Sequence, residues 1–318
     1  MSADQSPTVV EAGGQSPLTR QEKLIQRTKV GAALAGSVAA LLYAASLEEG
    51  PQITLALAVV LSFWSLLEVR KMGLFTSTQG FIAASLSCIA LAAALLRWED
   101  FAQNTEPGEP VIGETAPMEG PFLLIAALAL PFSLLMVRRI VQLQRKGIVP
   151  TVKSVPSALL MVTVAVPLLA LYPIRLSGGA AGLAAYIVLA KIGDIAGYYV
   201  GSLMGKRRPF PNISPGKSVA GCNASLAVGI LTGVLFVAFG VLDGARYGLL
   251  SGALLGAAVN VLAQAGDLLE SAYKRRAGFK DSGTTFGPSG GMFDLIDSLI
   301  LSAPVAAVLW ALLFQSTP

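Results

Sequence analysis

Apolar segments close to the length of a membrane-crossing helix follow one another along almost the whole chain. The hydrocarbon core of a bilayer is about 30 Å thick, and an α-helix of about 20 residues crosses it. Because lipid offers no hydrogen-bond partners, each segment must satisfy its own backbone groups, as a helix does. Nine such segments follow a polar stretch of about 28 residues, at positions 30–47, 53–69, 80–96, 121–137, 155–172, 178–200, 219–241, 247–269 and 293–314. The sequence therefore predicts an all-α, polytopic integral membrane protein with about nine transmembrane helices.

Composition supports this class and removes several kinds of chemistry. Hydrophobic residues make up 54% of the chain and charged residues only 13%, about half the charged share of soluble domains. Histidine is absent, which excludes a histidine general base, a Ser-His-Asp triad and a histidine-ligated metal. The two cysteines, Cys88 and Cys222, lie in separate apolar segments, so they predict neither a disulfide framework nor a zinc site.

Lysine and arginine residues fall almost entirely on one side of the predicted membrane. The cytoplasmic loops of membrane proteins are enriched in these residues. If the N-terminus is cytoplasmic, only Arg97, Arg175 and Arg246 of the 23 basic residues lie on the opposite side, and Lys191 lies within a segment. The distribution therefore predicts a cytoplasmic N-terminus and an outside C-terminus.

A first polar group lies near the end of the sixth apolar segment. Asp194 follows Lys191 by three residues, and Tyr198 lies one turn further along the helix. Asp194 has two interpretations: it pairs with Lys191 within the membrane, or it faces an aqueous cavity. Glycines recur every four residues here, forming a smooth stripe that lets a second helix approach closely. They are Gly197, Gly201 and Gly205.

A short loop before the seventh segment combines hydroxyl, ammonium and glycine residues. It contains Ser214, Lys217 and Ser218, with Gly216 among them. Such groups at a helix N-terminus are typical of an anion site. Polar, glycine-rich loops also join membrane helices without binding anything, so this pattern alone leaves both interpretations open.

The most strongly charged stretch follows the eighth segment and runs into the ninth. Asp267, Glu270 and Ser271 share one helical face because they are three and four residues apart. Ionised groups at a membrane boundary are costly and indicate function, and carboxylates beside basic residues suit a divalent cation and a phosphorylated ligand. The alternative is a solvated basic loop with acidic counter-ions, which does not account for Asp267 and Asp294 at the membrane face. Further charged residues of this stretch are Lys274, Arg275, Lys280, Asp281 and Asp297.

These three groups resemble the signatures of the phosphatidate cytidylyltransferases, also called CDP-diacylglycerol synthases. The final signature of that family reads S-x-x-K-R-x4-K-D-x-G-x2-F-x2-H-G-G-x2-D-R-x-D, and residues 271–297 follow it in register. Residues 264–271 resemble its Q-x-G-D-L-x-E-S, residues 194–206 its D-x-x-A-Y-x-x-G-x-x-x-G-K, and residues 213–218 its I-S-P-K-K-T. The chain departs from these patterns at Ser289 for His, Leu295 for Arg and Ala220 for Glu.

The resemblance implies that the cytidylyl group of CTP is transferred to phosphatidic acid, giving CDP-diacylglycerol and pyrophosphate for phospholipid biosynthesis. It implies Mg²⁺, with room for a second, monovalent or divalent, cation, and a homodimer within membrane lipid. It assigns metal binding first to Asp267 and Asp281 and then to Asp294 and Asp297. Catalysis is assigned to Asp267, Asp281, Lys280 and Lys274, and substrate binding to Ser214, Lys217, Ser218, Ser271, Arg275, Asp194, Tyr198, Ser289, Gly290 and Gly291.

The chain is accordingly expected to have three parts. Residues 1–28 form a disordered, polar cytoplasmic tail, residues 29–177 the N-terminal transmembrane helices, and residues 178–318 the C-terminal transmembrane catalytic region. The compactness of the chain suggests a prokaryotic inner membrane, with the active site facing the cytoplasm.

Other functions use similar groups. A CTP-dependent lipid kinase transfers the γ-phosphate instead. An ion-coupled transporter holds its carboxylates near mid-bilayer, whereas these cluster at predicted helix ends. A catalytically divergent scaffold of the same family is favoured by Ser289 and Leu295 and opposed by the retained carboxylates. Nucleic-acid binding has no support, because the basic residues are spread over membrane loops.

Overall fold

The computed structural model describes residues 50–73, 78–104, 161–243, 245–286 and 290–314, with isolated positions between 36 and 47. The predicted polar tail, the apolar segment at 121–137 and Ser289 lie outside the described residues, as does most of the segment at 30–47. Every regular element within the described residues is helical. The all-α class is therefore confirmed.

Six α-helices make up the described part of the chain. They are α1 (Gly50–Lys71), α2 (Thr78–Asn104), α3 (Leu171–Met204), α4 (Val219–Ala238), α5 (Leu249–Ala277) and α6 (Met292–Leu313). A π-helical turn at Met161–Ala165 and a 3₁₀ turn at Val166–Ala170 lead into α3. Among the described residues, five helical stretches are long and apolar enough to cross a membrane, and α2 contributes a shorter apolar stretch, Phe81–Arg97. The count of nine crossings and the sidedness of the termini remain predictions.

The fifth and sixth predicted segments run together in one helical stretch, Thr163–Met204, of 42 residues. A straight α-helix of this many residues would be about 63 Å long, twice the thickness of a hydrocarbon core. Its backbone breaks at Gly179, where φ is 64° and ψ is −168°, a conformation that glycine adopts without steric cost. On either side of the break, Gly178 and Gly182 leave room for the Trp310 ring of α6. A kink therefore separates the two segments, at a residue just inside the start of the predicted sixth segment.

Glycines hold the C-terminal helices close together. A Cβ atom on Gly233 of α4 would collide with the carbonyl group of Gly252 on α5. In the same way, a Cβ atom on Gly197 of α3 would lie 3.2 Å from the carbonyl oxygen of Gly221 on α4. Small residues let helix backbones approach in this way within a membrane. The predicted glycine stripe on α3 is therefore the face that packs against α4, and this packing brings the polar residues of both helices to one place.

Candidate active site

A cavity of about 430 Å³ opens between α3, the loop before α4, and α5. It unites residues from the three polar groups that the sequence singled out. They are Asp194 and Tyr198 from α3, Ser214, Lys217 and Ser218 from the loop, and Asp267 from α5. Cavities of this size bind small molecules, and this one joins hydroxyl, ammonium and carboxylate groups at helix ends.

Lys217 and Asp267 form the ion pair of this cavity. The Lys217 Nζ atom lies 2.9 Å from Asp267 Oδ2 and also donates to the backbone oxygen of Gln264 at 3.3 Å. Burial by itself lowers the pKa of Lys217. The charge and hydrogen bond of the Asp267 carboxylate raise this pKa, so that together with the neighbouring carboxylates they outweigh the effect of burial and the pKa lies above its ordinary value of 10.5. A raised lysine pKa means that the stabilisation is fully present below about pH 10.5 and is lost as the pH rises through the folded-state value. Lys217 is therefore a cation at neutral pH, available to a phosphate.

Ser218 has a structural contact as well as a place in the cavity. It is the N-cap of α4, and its hydroxyl oxygen accepts a hydrogen bond from the backbone N–H of Gly221 at 3.1 Å. A serine cap satisfies one of the free N–H groups at a helix start. The capped helix N-terminus favours negative charge, which suits a phosphate beside Lys217.

Lys191 pairs with Asp297 of α6 rather than with Asp194 of its own helix. Its Nζ atom lies 3.3 Å from Asp297 Oδ1. Asp194 instead lines the cavity. Asp194 therefore lies at the cavity, as one of the two interpretations expected, although Lys191 still attracts it electrostatically, and the salt bridge of Lys191 is made with Asp297.

The donor set of the cavity fits a hard cation completed by phosphate oxygens. Asp267 Oδ1 is buried and accepts no hydrogen bond from the described residues, while Asp194 and Asp267 interact electrostatically. Within the described ranges, no three Asp, Glu or Cys side chains converge on a single metal position. Mg²⁺ is usually held by one or two carboxylates together with substrate phosphates, and Asp194 and Asp267 provide carboxylates of this kind at the cavity.

A second charged cluster lies where α5 ends and α6 begins. Lys274 Nζ lies 2.6 Å from Glu270 Oε1 and 2.5 Å from Asp294 Oδ1. The other oxygen of Asp294 accepts hydrogen bonds from the backbone N–H of Gly291 at 2.7 Å and of Ser282 at 2.8 Å. Asp294 therefore caps the start of α6 and fixes the preceding loop. The structure places Lys274 and Asp294 in this cluster rather than among the lining of the cavity.

Glu68, at the end of α1, completes the cluster, and the sequence alone predicted no role for it. Its side chain is buried and accepts hydrogen bonds from the backbone N–H groups of Met292 and Phe293, each at 2.9 Å, and from the Ser282 hydroxyl at 2.8 Å. The signal was a lone carboxylate closing an apolar segment, which is costly unless it is partnered. Glu68 thus ties the N-terminal half of the chain to the loop between α5 and α6.

Gly290 and Gly291 are required by this packing. Gly290 has a φ of 85°, which glycine adopts readily. A Cβ atom on Gly291 would lie 2.5 Å from Ser282 Oγ and would also collide with Glu68. The two glycines therefore let the chain pass between Glu68 and Asp294, whatever contact they make with a substrate.

The remaining predicted residues lie near this cluster, outside the lining of the cavity. Lys280 and Asp281 are exposed in the loop after α5, and neither forms an ion pair with another described residue. Arg275 donates to the backbone oxygen of Phe279 at 3.1 Å, and Ser271 is half-buried on α5. The structure thus divides the predicted site into the cavity and a neighbouring charged loop, which is the segment between α5 and α6 that carries Lys280 and Asp281.

Together, the fold and site define a class: a helical membrane protein whose charged cavity suits a phosphorylated ligand and a cation. The chain belongs to the cytidylyltransferase family, whose sequence profile matches residues 25–313. This match confirms the resemblance drawn from the three signatures.

Individual relatives are similar over a little more than a third of the chain. The phosphatidate cytidylyltransferase of Aquifex aeolicus is 42% identical over 114 residues, which are 36% of this chain and 41% of that protein. That of Pseudomonas aeruginosa is 43% identical over 129 residues, 40% of this chain and 46% of that protein. The uncharacterized protein YnbB of Escherichia coli is 35% identical over 142 residues, 43% of this chain and 45% of that protein. Each alignment thus covers less than half the length of the relative.

Proposed function

We propose that this protein transfers the cytidylyl group of CTP to phosphatidic acid, giving CDP-diacylglycerol and pyrophosphate. The observation that carries the proposal is the convergence of Asp194, Lys217 and Asp267 on one cavity, although they come from three separate signatures. The naming of two relatives as phosphatidate cytidylyltransferases supports the same reaction.

The proposed reaction needs alignment and charge neutralisation more than proton transfer. The phosphate of phosphatidic acid is already an anion, so its oxygen attacks the α-phosphorus of CTP without a general base. The new bond joins that oxygen to the α-phosphorus, and the bond from the α-phosphorus to the bridging oxygen breaks, releasing pyrophosphate. A protein without histidine is suited to such a reaction, because positioning and electrostatics provide most of the catalysis of phosphoryl-type transfers.

The residues of the cavity have separate tasks in this mechanism. Lys217 and the N-terminus of α4, capped by Ser218, hold phosphate oxygens, with Ser214 beside them. Asp194 and Asp267 hold Mg²⁺, which, when bound, neutralises the charge of the triphosphate. A pair of lysine and aspartate keeps both side chains in place before substrate arrives.

The charged loop contributes to the same site in this proposal. Lys280 and Asp281 are exposed and unpaired among the described residues, so both are available to the leaving pyrophosphate and its cation. Lys274 and Arg275 hold the loop at the end of α5. The predicted second cation, if bound, belongs at this loop.

The cellular setting follows from charge and from the resemblance. The positive-inside distribution predicts that the cavity and the charged loop face the cytoplasm, where CTP is found. We propose a bacterial inner membrane, because the relatives named above are bacterial, and a homodimer, because the resemblance implies one.

The direct test uses purified full-length protein in detergent, phosphatidic acid, Mg²⁺ and CTP labelled on the α-phosphate. Label in the organic phase together with released pyrophosphate establishes cytidylyl transfer. Label from γ-labelled CTP in the lipid instead identifies a lipid kinase. The absence of lipid label in both assays, with protein shown to be folded, overturns the proposal in favour of the scaffold.

A further inference from the structure

Gln264 lines the cavity on the face of α5 that also carries Asp267, three residues later. Its position is about 4.5 Å along the helix axis from Asp267, away from the charged end of α5. Lys217 donates to the backbone oxygen of Gln264, whereas the groups around the Gln264 side chain are neutral, namely Asn260, the backbone of Cys222 and, beyond Asn260, Ser225. The cavity therefore has a charged part and a neutral polar part, as a nucleotide has charged phosphates and a neutral base.

The side-chain amide of Gln264 is held in one orientation. Its Nε2 atom donates to Asn260 Oδ1 at 2.8 Å and to the backbone oxygen of Cys222 at 3.4 Å. A backbone carbonyl only accepts hydrogen bonds, so the amide end beside Cys222 must be the NH₂ group. Both donors are thereby used, and Oε1 accepts no hydrogen bond from the described residues.

A buried polar pair keeps this arrangement in place. Asn260 is buried, and its Nδ2 atom donates to Ser225 Oγ at 3.1 Å, while Ser225 donates back to Asn260 Oδ1 at 3.2 Å. Gly193 of α3 provides the space, because a Cβ atom there would lie 2.5 Å from Ser225 Oγ and would collide with Asn260. Satisfied networks of this kind specify a single arrangement.

We infer that Gln264 recognises the nucleotide base through Oε1 and selects a base with an exocyclic amino group. The inference rests on the proposed function in taking a nucleotide as the occupant of the cavity. Cytosine presents an N4 amino group, which donates, whereas uracil presents a carbonyl oxygen at the same position. With uracil in this position, its carbonyl oxygen would face Gln264 Oε1, and two acceptors form no hydrogen bond. The Gln264 amide cannot turn to donate instead, because both of its N–H groups are already used. Gln264 is thus a specificity-determining residue, and Asn260 is its positioning residue.

The test compares nucleotide binding and turnover in full-length protein in detergent. Dissociation constants for CTP and UTP are measured without phosphatidic acid, and kcat/KM for both nucleotides is measured with it. Gln264→Met keeps the side-chain length and removes the acceptor, so the preference for CTP over UTP is expected to fall by at least about tenfold. Asn260→Leu frees the Gln264 amide to turn and is expected to improve UTP binding relative to CTP.

Asn223→Ala serves as the matched control, because Asn223 is an exposed amide on α4 outside the lining of the cavity. A purely structural defect weakens the binding of CTP and UTP equally and leaves the ratio of their dissociation constants unchanged. An unchanged ratio in Gln264→Met therefore overturns the inference. Equal binding of CTP and UTP by the unsubstituted protein overturns it as well. A CTP preference that is lost in Gln264→Met, in a protein that transfers no cytidylyl group to lipid, supports the inference and contradicts the proposed reaction.

Discussion

At the scale of single residues, the choice of ionic partner decides which carboxylates are available for chemistry. Asp297 is paired with Lys191, and Asp294 is held by Lys274 and two backbone N–H groups. Asp267 uses one oxygen for Lys217 and leaves the other without a hydrogen bond from the described residues. Asp267 therefore keeps one carboxylate oxygen for a cation, as the proposed function requires.

We expect Asp267→Asn to reduce turnover at least about 100-fold, because the charge that holds the cation and Lys217 is removed. Since Lys217 then loses its half-buried partner, the variant should also be destabilised by about 1–3 kcal/mol. Initial rates and thermal unfolding in detergent measure the two effects. Turnover near that of the unsubstituted protein would remove Asp267 from the metal site.

In Asp281→Asn, the effect of the lost charge on turnover can be measured without an accompanying effect on stability. Asp281 is exposed and makes no ion pair with the described residues, so we expect turnover to be abolished with membrane insertion and thermal unfolding unchanged. Asp243→Asn, at an exposed aspartate in the loop between α4 and α5, is the control and should be fully active. Retained activity in purified Asp281→Asn protein contradicts its assignment to the metal.

At the scale of elements, the N-terminus of α6 is where α1, α6 and the loop between α5 and α6 are held together by hydrogen bonds. The first N–H groups of any helix lack intrahelical partners, and here Glu68 of α1 and Asp294 accept from them. The same carboxylates bind Ser282, in the loop that carries Lys280 and Asp281. The same two carboxylates therefore cap α6 and hold the loop between α5 and α6 in place.

Glu68→Ala should lower stability by about 1–3 kcal/mol, because buried N–H and hydroxyl groups lose their acceptor. Turnover should fall with it, through displacement of the loop, although Glu68 is not among the residues lining the cavity. Glu68→Gln retains one acceptor oxygen, so its stability and turnover should lie between those of the unsubstituted protein and those of Glu68→Ala. Gln52→Ala, at an exposed position of the same helix, is the control. Unchanged unfolding and turnover in Glu68→Ala would show that the cap is dispensable.

At the scale of the whole molecule, the distribution of lysine and arginine predicts the orientation in the membrane. Helix α5 has 29 residues and is about 43 Å long, enough to place its two flanking loops on opposite sides. Arg246 precedes it and Lys280 follows it, and both are exposed. The two ends of one helix thus report on the orientation of the protein.

We expect Lys280→Cys to react with a membrane-impermeant maleimide only in inverted vesicles, and Arg246→Cys only in right-side-out vesicles, because the positive-inside rule predicts cytoplasmic basic loops. The unsubstituted protein gives the background from Cys88 and Cys222, which are buried and half-buried. The reverse labelling pattern would overturn the predicted topology.

Much of the described fold could be predicted from local sequence. Segments α4, α5 and α6 begin and end within a few residues of the predicted spans, apart from the longer C-terminal end of α5. The sequence also brought forward Asp194, Lys217 and Asp267, because each lies in a recognisable signature. It showed Glu68 only as a carboxylate that closes an apolar segment. It did not reveal the partners of Glu68, which are more than 200 residues away in the chain, nor the locked orientation of Gln264.

The sequence alone determined that this protein is built of apolar helices and that its polar residues gather at their ends, since a helix in lipid satisfies its backbone internally and is therefore a local property. Only the tertiary structure decided that Lys191 takes Asp297 instead of Asp194, and that Glu68 caps α6. Those partners depend on how each helix is rotated about its axis, which the close packing of glycine faces between distant segments sets.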